Sequence, residues 1–353
     1  MDLTRLKRGA YGRLFGRRLL PFPDDAVVPL DTASHVLLRF SRRLHEFQPQ
    51  LWSKEVAFAE EMAARGRQFG VSDDPGEVFG KTVMWYHRDD VVKPRLWNYS
   101  KQMHQLIAGL EEQGNEAFNS AAEVLFWENK AFMHRRLDEI GTPTPRTQIL
   151  TAETWRDADF SGEPLLVKQE HSASSKGLWH FPTAAEARRF LEQYAFRPGE
   201  SVILQEVVRG ATKDLRLTMV GDQVVESASY WRVKSPEKLA GGEWTTTATS
   251  NGSTVVHADI PETGVAAAAH VLRTLGVRTA GFDLMWVDDD VSAPPVVLEF
   301  SPLYEPNPPK PRRYDDWSYK RFKANPFVAD GYFAQQHRVF RDIAGQVLDQ
   351  GMI

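Results

Sequence analysis

The feature that most constrains this chain is a change of period at Gly141-Thr142-Pro143-Thr144-Pro145. Upstream, apolar residues recur at helical spacing over 50–66, 98–113 and 123–140, with His-Val-Leu-Leu-Arg-Phe at 35–40 and residues 67–71 reading as strands. Downstream the runs are short and β-like, at 146–150, 164–168, 202–208, 214–220, 223–230, 279–287 and 296–300, and only 183–196 and 261–275 read as helices. A helix that meets a glycine and then two prolines cannot continue. The chain therefore turns there from an alternating α/β layer into an antiparallel α+β unit. The charged tail 310–353 reads as one returning helix, and 353 residues are too many for a single small core.

Composition removes several functions. There are 43 Lys and Arg against 47 Asp and Glu, a net charge of −4, so no global attraction to nucleic acid is expected and an anionic ligand needs a local basic site. Cysteine is absent, which excludes disulfides, thiolate metal sites and cysteine nucleophiles and is compatible with a cytoplasmic setting. No apolar run reaches the roughly 18 residues of a membrane-spanning helix. Arg5, Lys7, Arg8, Arg13, Arg17 and Arg18 make the start of the chain a basic arm. It reads as packed on the body, as a contact for an acidic partner or membrane surface, or as a targeting segment. Gly-Glu-Val-Phe-Gly-Lys-Thr at 76–82 imitates a P-loop, but three residues separate its glycines where the phosphate cradle needs four. The zinc-peptidase, serine-hydrolase and dinucleotide motifs are missing as well.

The strongest constellation is a hairpin. Asp283 lies in Ala280-Gly281-Phe282-Asp283-Leu284-Met285-Trp286-Val287 and Glu299 in Val296-Val297-Leu298-Glu299-Phe300, joined by the polar stretch 288–295. A hairpin symmetric about Val291 sets the two carboxylates opposite each other, with Cβ atoms about 4.5–5.5 Å apart. Opposed carboxylates repel unless a cation or a shared proton compensates, and two hard oxygen ligands suit Mg²⁺ carried with a substrate phosphate. A register one or two residues different would leave both acids solvated.

Lys168 ends the apolar strand 164–168, and His171-Ser172-Ala173-Ser174-Ser175-Lys176-Gly177 follows it. A small, hydroxyl-rich loop of this kind turns backbone amides toward an anion or is simply a loop. Val202 to Gly210 is an apolar strand with a polar break at Gln205-Glu206, suited to hold a flat heterocycle or to fill a core.

In order, Asn119-Ser120, Asn129-Lys130, Gly141 to Thr147, Leu166-Val167-Lys168, the 172–177 loop, Gln205-Glu206, Lys213-Asp214-Leu215-Arg216-Leu217, Gly281-Phe282-Asp283 and Glu299-Phe300-Ser301-Pro302 resemble the ATP-grasp superfamily. The match is to its carboxylate-amine ligases, such as the ribosomal protein glutamate ligase and amino-group carrier ligases, and runs from about 119 to 304. The resemblance implies a mixed α+β and α/β architecture: an ATP-grasp fold with an N-terminal α/β pre-ATP-grasp domain and a short C-terminal helical extension. The domains are then the arm 1–30, the pre-ATP-grasp domain 31–118, the ATP-grasp domain 119–309 and the extension 310–353.

The same resemblance implies ATP and two Mg²⁺ ions as cofactors. It makes Lys130 and Lys168 phosphate contacts, Ser174, Ser175, Lys176 and Gly177 part of a lid, and Gln205, Glu206 and Val207 the adenine hinge. Asp214 becomes a ribose partner, Arg216 faces the transferred phosphoryl group or the substrate carboxylate, and Asp283 and Glu299 hold Mg²⁺. Residues 230–252 are similar to the family's substrate loop, which makes Arg232 a carboxylate binder. One position departs: the family commonly has Asn where Ser301 stands, so Ser301 or a water is the third metal ligand, with Glu305 and Asn307 as nearby substitutes.

The implied reaction is amide or peptide bond formation, with a small-molecule or peptide carboxylate and an amine nucleophile as partners, a homodimer being open. A degenerate ATP-binding protein working through partner contacts, and a phosphotransferase on the same fold, are the alternatives.

Overall fold

The computed structural model describes residues 22–39, 49–85, 99–172, 177–242, 244–249, 253–325 and 330–353. Most of the basic arm, Ser174, Ser175, Lys176, and Asn251 with Gly252 of the expected substrate loop lie outside these residues. The chain divides into two compact units: 1–96, 101–124 and 305–353 form the first, and 97–100 with 125–304 form the second. Residues 305–353, which include the extension expected over 310–353, thus group with the N-terminal residues.

The first unit is built on β1 (His35–Leu38), α1 (Pro49–Ala64), β2 (Gly70–Ser72), β3 (Thr82–Trp85), α2 (Tyr99–Glu112), β4 (Glu116–Phe118) and α3 (Ala121–Val124). Its sheet is wholly parallel, ordered β2-β1-β3-β4. Three of the four residues of β1 and of β3 are buried, as a sheet covered on both faces requires. The imitation P-loop resolves here. Residues 75–77 form a 3₁₀ turn, Gly80 takes φ +63°, and a strand rather than a helix follows at Thr82, so the amides have no helix N-terminus to converge on.

In the second unit, α4 (Lys130–Glu139) precedes β5 (Thr147–Leu150), β6 (Leu165–Gln169), β7 (Leu178–Phe181), α5 (Ala184–Gln193) and β8 (Val202–Glu206). The expected helix over 123–140 is broken: Glu128 adopts φ +52° and the Asn129 side chain accepts from Phe132 N at 3.2 Å, capping a fresh start at Lys130. One antiparallel sheet, β5-β8-β6-β7, results, with α5 packed on it through Ala187 and Leu191.

A second antiparallel sheet takes β9 (Lys213–Val220), β10 (Gln223–Val224), β11 (Tyr230–Val233), β12 (Thr254–Val256), β13 (Thr279–Met285) and β14 (Val296–Ser301), with α6 (Pro236–Ala240) and α7 (Glu262–Leu275) between strands. The strand read over 223–230 is split by a 3₁₀ turn at Glu226–Ala228. Alternation decides the faces of this sheet. Leu215, Leu217, Phe282, Leu284 and Phe300 point into a core shared with Met133 and Leu137 of α4 and Ala268 and Leu272 of α7. Arg216, Asp283 and Glu299 occupy successive rungs of the opposite face.

The tail returns to the first unit as two helices rather than one, α8 (Tyr319–Ala324) and α9 (Tyr332–Asp349). There α9 packs along α1, with Arg341 Nη2 2.7 Å from Glu61, Arg65 Nη2 2.9 Å from Asp349 and His337 Nε2 3.1 Å from Glu60.

Candidate active site

The site lies wholly within the second unit. Register brings its carboxylates together: Gly281 pairs with Ser301, Phe282 with Phe300 and Asp283 with Glu299. Symmetry about Val291 holds on these rungs and fails nearer the turn, where Leu284 pairs with Val297 and Leu298 is the extra residue of a bulge. On the other side of β13, Asp283 pairs with Arg216 of β9. The row Arg216–Asp283–Glu299 therefore sets one cation beside two neighbouring carboxylates across three strands.

Lys130 reaches this row from α4. Its Nζ donates to Ser172 O at 2.5 Å and stands 3.4 Å from Glu299 Oε1 and 3.6 Å from Glu128 Oε2. Burial alone would lower its pKa, but the Glu299 and Glu128 carboxylates outweigh that and hold it above the ordinary value. Glu128 stands in this cluster and is not singled out by the sequence. An acid just before a helix cap reads as an ordinary helix start, and only the fold brings it beside Glu299. Burial first, and the Glu299 charge second, push its carboxyl up to about 8.

Lys168, at the end of β6, donates to Gln205 Oε1 on β8 at 2.6 Å, and Gln205 Nε2 donates to Thr147 Oγ1 at 2.9 Å. Desolvation lowers Lys168 to about 8, the Lys130 charge adding to the effect. Between the two lysines His134 is buried, and its pKa falls to about 3 through burial and the charges of Lys168 and Lys130, so it is neutral.

Gln205 is thus spent on holding Lys168. The backbone N–H groups of Glu206 and Val207, expected at an adenine hinge, donate to Arg146 O at 3.0 Å and Pro164 O at 3.2 Å, and Glu206 pairs with Arg146 Nη1 at 3.2 Å. Gly177, just before β7, takes φ +63°; its carbonyl accepts from Gln169 N at 2.8 Å, and a Cβ there would lie 2.3 Å from Gln169 Oε1.

Asp214, expected as a ribose partner, is 1% exposed and is gripped by Arg232 Nε at 2.8 Å, by Arg232 Nη2 and by Thr247 Oγ1 at 2.8 Å. Arg232 Nη2 also stands 2.8 Å from Asp283 Oδ2, and Arg216 Nε is 2.7 Å from Asp283 Oδ1. Burial would raise the Asp283 carboxyl; the two guanidiniums overcome it and hold its pKa below the ordinary value. Ser301 is buried and its hydroxyl donates to Leu303 O at 2.7 Å. Glu305 and Asn307 belong to the first unit, where Asn307 Oδ1 accepts from the Tyr332 hydroxyl at 3.2 Å.

The donor set fits a divalent cation. Asp283 and Glu299 face each other, and Glu128 Oε2 is buried with no hydrogen-bond partner. Among the described residues no group of three or more His, Cys, Asp or Glu is placed to hold a metal ion by itself. Among these same residues no helix is long and apolar enough to cross a membrane.

No protein-family model matches the sequence, and no curated protein is similar to it in sequence. Solved structures do match. The chain is similar to a RimK domain ATP-grasp protein from Sphaerobacter thermophilus DSM 20745, with 16% identity over 90% of this chain and 98% of that one and a TM-score of 0.52. It is also similar to D-cycloserine synthetase DcsG, with 17% identity over 88% and 99% of the two chains and a TM-score of 0.49. The ATP-grasp ligase PsnB, solved with a minimal precursor, gives 16% identity over 87% and 99% and a TM-score of 0.48. The chain has the ATP-grasp fold, as the order of its motifs led one to expect.

Proposed function

We propose that this protein is an ATP-dependent ligase that joins a carboxylate to an amine. The observation that carries the reading is the row Arg216–Asp283–Glu299, flanked by Lys130 and Lys168, inside an ATP-grasp fold. A carboxylate is a poor electrophile because it is anionic and its leaving group would be oxide. Its oxygen attacks the γ-phosphorus of ATP, the bond from that phosphorus to the bridging oxygen breaks, and ADP leaves. The amine nitrogen then attacks the acyl carbon of the acyl phosphate, inorganic phosphate departs and the nitrogen loses a proton to give the amide.

Phosphoryl transfer asks a protein mainly for position and charge. Lys130 and Lys168 would hold the phosphates, Arg216 the transferred group or the acid, and Asp283 and Glu299 the Mg²⁺, with the Ser301 hydroxyl or Glu128 Oε2 as a further oxygen. When bound, Mg²⁺, here taken as two ions, neutralises charge on the phosphate oxygens. No covalent nucleophile is needed, which suits a chain without cysteine. The reading places the work in the cytoplasm.

A second reading is nucleotide binding without turnover, favoured by Ser301 at the expected amide ligand and by the arginines on Asp283. Incubating the protein with ATP, Mg²⁺, panels of carboxylic acids and hydroxylamine separates the two. Acid-stimulated ADP release with hydroxamate formation supports the ligase; ATP binding with no acid-dependent ADP release supports the second reading.

A further inference from the structure

Asp214, Arg232, Asp283 and Arg216 form a chain of alternating charge on the polar face of the second sheet, and its two arginines are held differently. Arg232 has two anchors. Its Nε donates to Asp214 Oδ1 at 2.8 Å, and its Nη2 reaches both Asp214 Oδ2 and, at 2.8 Å, Asp283 Oδ2. Asp214 is in turn fixed by Thr247, so this anchor persists whatever Asp283 does. Arg216 has one. Among the described residues it pairs with Asp283 alone: Nη2 donates to Oδ2 at 3.3 Å, and Nε stands 2.7 Å from Oδ1 in an ion pair whose angle makes no hydrogen bond.

We propose that Asp283 occupies the seat of the substrate's oxyanion at Arg216, so that this anion site opens when the Asp283 carboxylate turns to a divalent cation, with Arg232 as the positioning residue that stays on Asp214. The inference deepens the ligase reading and rests on it. A guanidinium fork takes carboxylate and phosphate oxygens alike, and Asp283 leaves it only one hydrogen bond and a misaligned ion pair, so a better-aligned oxyanion can replace it. The exchange is short. Arg216, Asp283 and Glu299 are on adjacent strands about 4.8 Å apart, so an ion on Asp283 and Glu299 is one strand from an anion on Arg216. Room is built in as well. A Cβ at Gly281 would stand 3.2 Å from Arg216 Nη1 and 3.1 Å from Tyr304 Cγ, so a side chain there would ask the guanidinium or the ring to shift by a few tenths of an ångström.

Cation and anion then compete with the two halves of one ion pair. Each frees the partner of the other, which gives positive coupling that is equal in both directions. An enzyme built this way would not hold its acid before its metal.

Calorimetric titration of the full chain with inorganic phosphate, with and without Mg²⁺, tests the exchange in the wild type, Asp283→Asn and Arg216→Gln. In the wild type, Mg²⁺ should tighten phosphate by about tenfold or more, and phosphate should tighten Mg²⁺ by the same factor. Asp283→Asn should bind phosphate tightly without Mg²⁺ and ignore its addition; this arm excludes a phosphate carried in by the ion itself. Arg216→Gln should lose phosphate in both conditions. Equal phosphate affinity in the wild type with and without Mg²⁺, or no gain in a folded Asp283→Asn protein as judged by its melting curve, overturns the exchange. Should Asp283→Asn not fold, the wild-type and Arg216→Gln titrations still decide: Mg²⁺-dependent phosphate binding that survives in Arg216→Gln overturns the proposal. ATP titrated in parallel keeps the failures apart. Mg²⁺–ATP binding without phosphate coupling sinks the exchange and leaves the ligase reading standing, whereas phosphate gain in Asp283→Asn with no ATP binding sinks the ligase reading alone.

Discussion

Lys168 and Gln205 are joined by a 2.6 Å hydrogen bond between adjacent strands, and the partner of this buried cation is a neutral amide. An amide does not repay the loss of water around an ammonium group, which is why the Lys168 pKa falls to about 8. Between pH 8 and the ordinary lysine range the unfolded chain holds a proton that the folded chain has shed. The contribution of Lys168 to stability therefore rises with pH through that window, and the full cost of burying its charge is present below pH 8. Phosphate affinity should move the other way. The difference in unfolding free energy between wild type and Lys168→Met, measured from pH 7 to 10.5, should increase with pH, and ATP affinity should fall above pH 8 in the wild type only. Lys54 in the first unit, also lowered to about 8, cancels in that difference. A flat difference curve would contradict the assignment.

Glu299 is faced by Asp283 and touched by Lys130, so its loss removes a cation ligand and leaves Lys130 paired with Glu128 only. The Glu299→Ala protein should release ADP at below about a tenth of the wild-type rate, a loss of at least about 1.4 kcal/mol of transition-state stabilisation. Retention of more activity than that removes Glu299 from the metal site.

How much of this was readable in the sequence depends on how local each contact is. Asp283 and Glu299 share one hairpin, so a count from the turn was enough to oppose them, although the bulge at Leu298 was invisible to it. Arg216 and Asp283 are rungs of adjacent strands 67 residues apart, and no local pattern states that β9 lies beside β13. Likewise Arg232 looks like a free cation in sequence, and only the pairing of β11 with β9 sets it opposite Asp214. Glu128 is harder still, since its approach to the site depends on a left-handed residue breaking what reads as one long helix. The short strands β4 and β12, three residues each, carry too few residues to show alternation.

Asp214 is buried and its partner Arg232 is half-buried, and removing the arginine's partner or leaving the acid alone strands a desolvated charge. Asp214→Ala should lower the unfolding free energy by about 3–5 kcal/mol, and the double variant Asp214→Leu/Arg232→Met should recover most of it because apolar residues of similar volume replace both charges. Denaturant melts of the single and double variants check this. A near-neutral single variant would mean that Asp214 is not the anchor of Arg232.

Gly281 offers the most selective probe of the arginine. It lies two residues before Asp283 on the same face of β13, and a side chain there would face Arg216 and the Tyr304 ring. An added methyl would meet Tyr304 Cγ at 3.1 Å and Arg216 Nη1 at 3.2 Å, distances at which the neighbours must give way. Tyr304 is the less able to move, because its hydroxyl bonds Thr279 Oγ1 at 2.7 Å and that oxygen also donates to Met219 O at 2.9 Å. The displacement should therefore fall on the guanidinium. Gly281→Ala should weaken binding of inorganic phosphate by about tenfold, or 1.4 kcal/mol, while lowering stability by no more than about 1–3 kcal/mol, the usual cost of overpacking. Paired phosphate titrations and thermal melts read both quantities. Unchanged phosphate affinity at reduced stability would show that the strain is taken up by Tyr304, and that Arg216 is not steered by the glycine beside it.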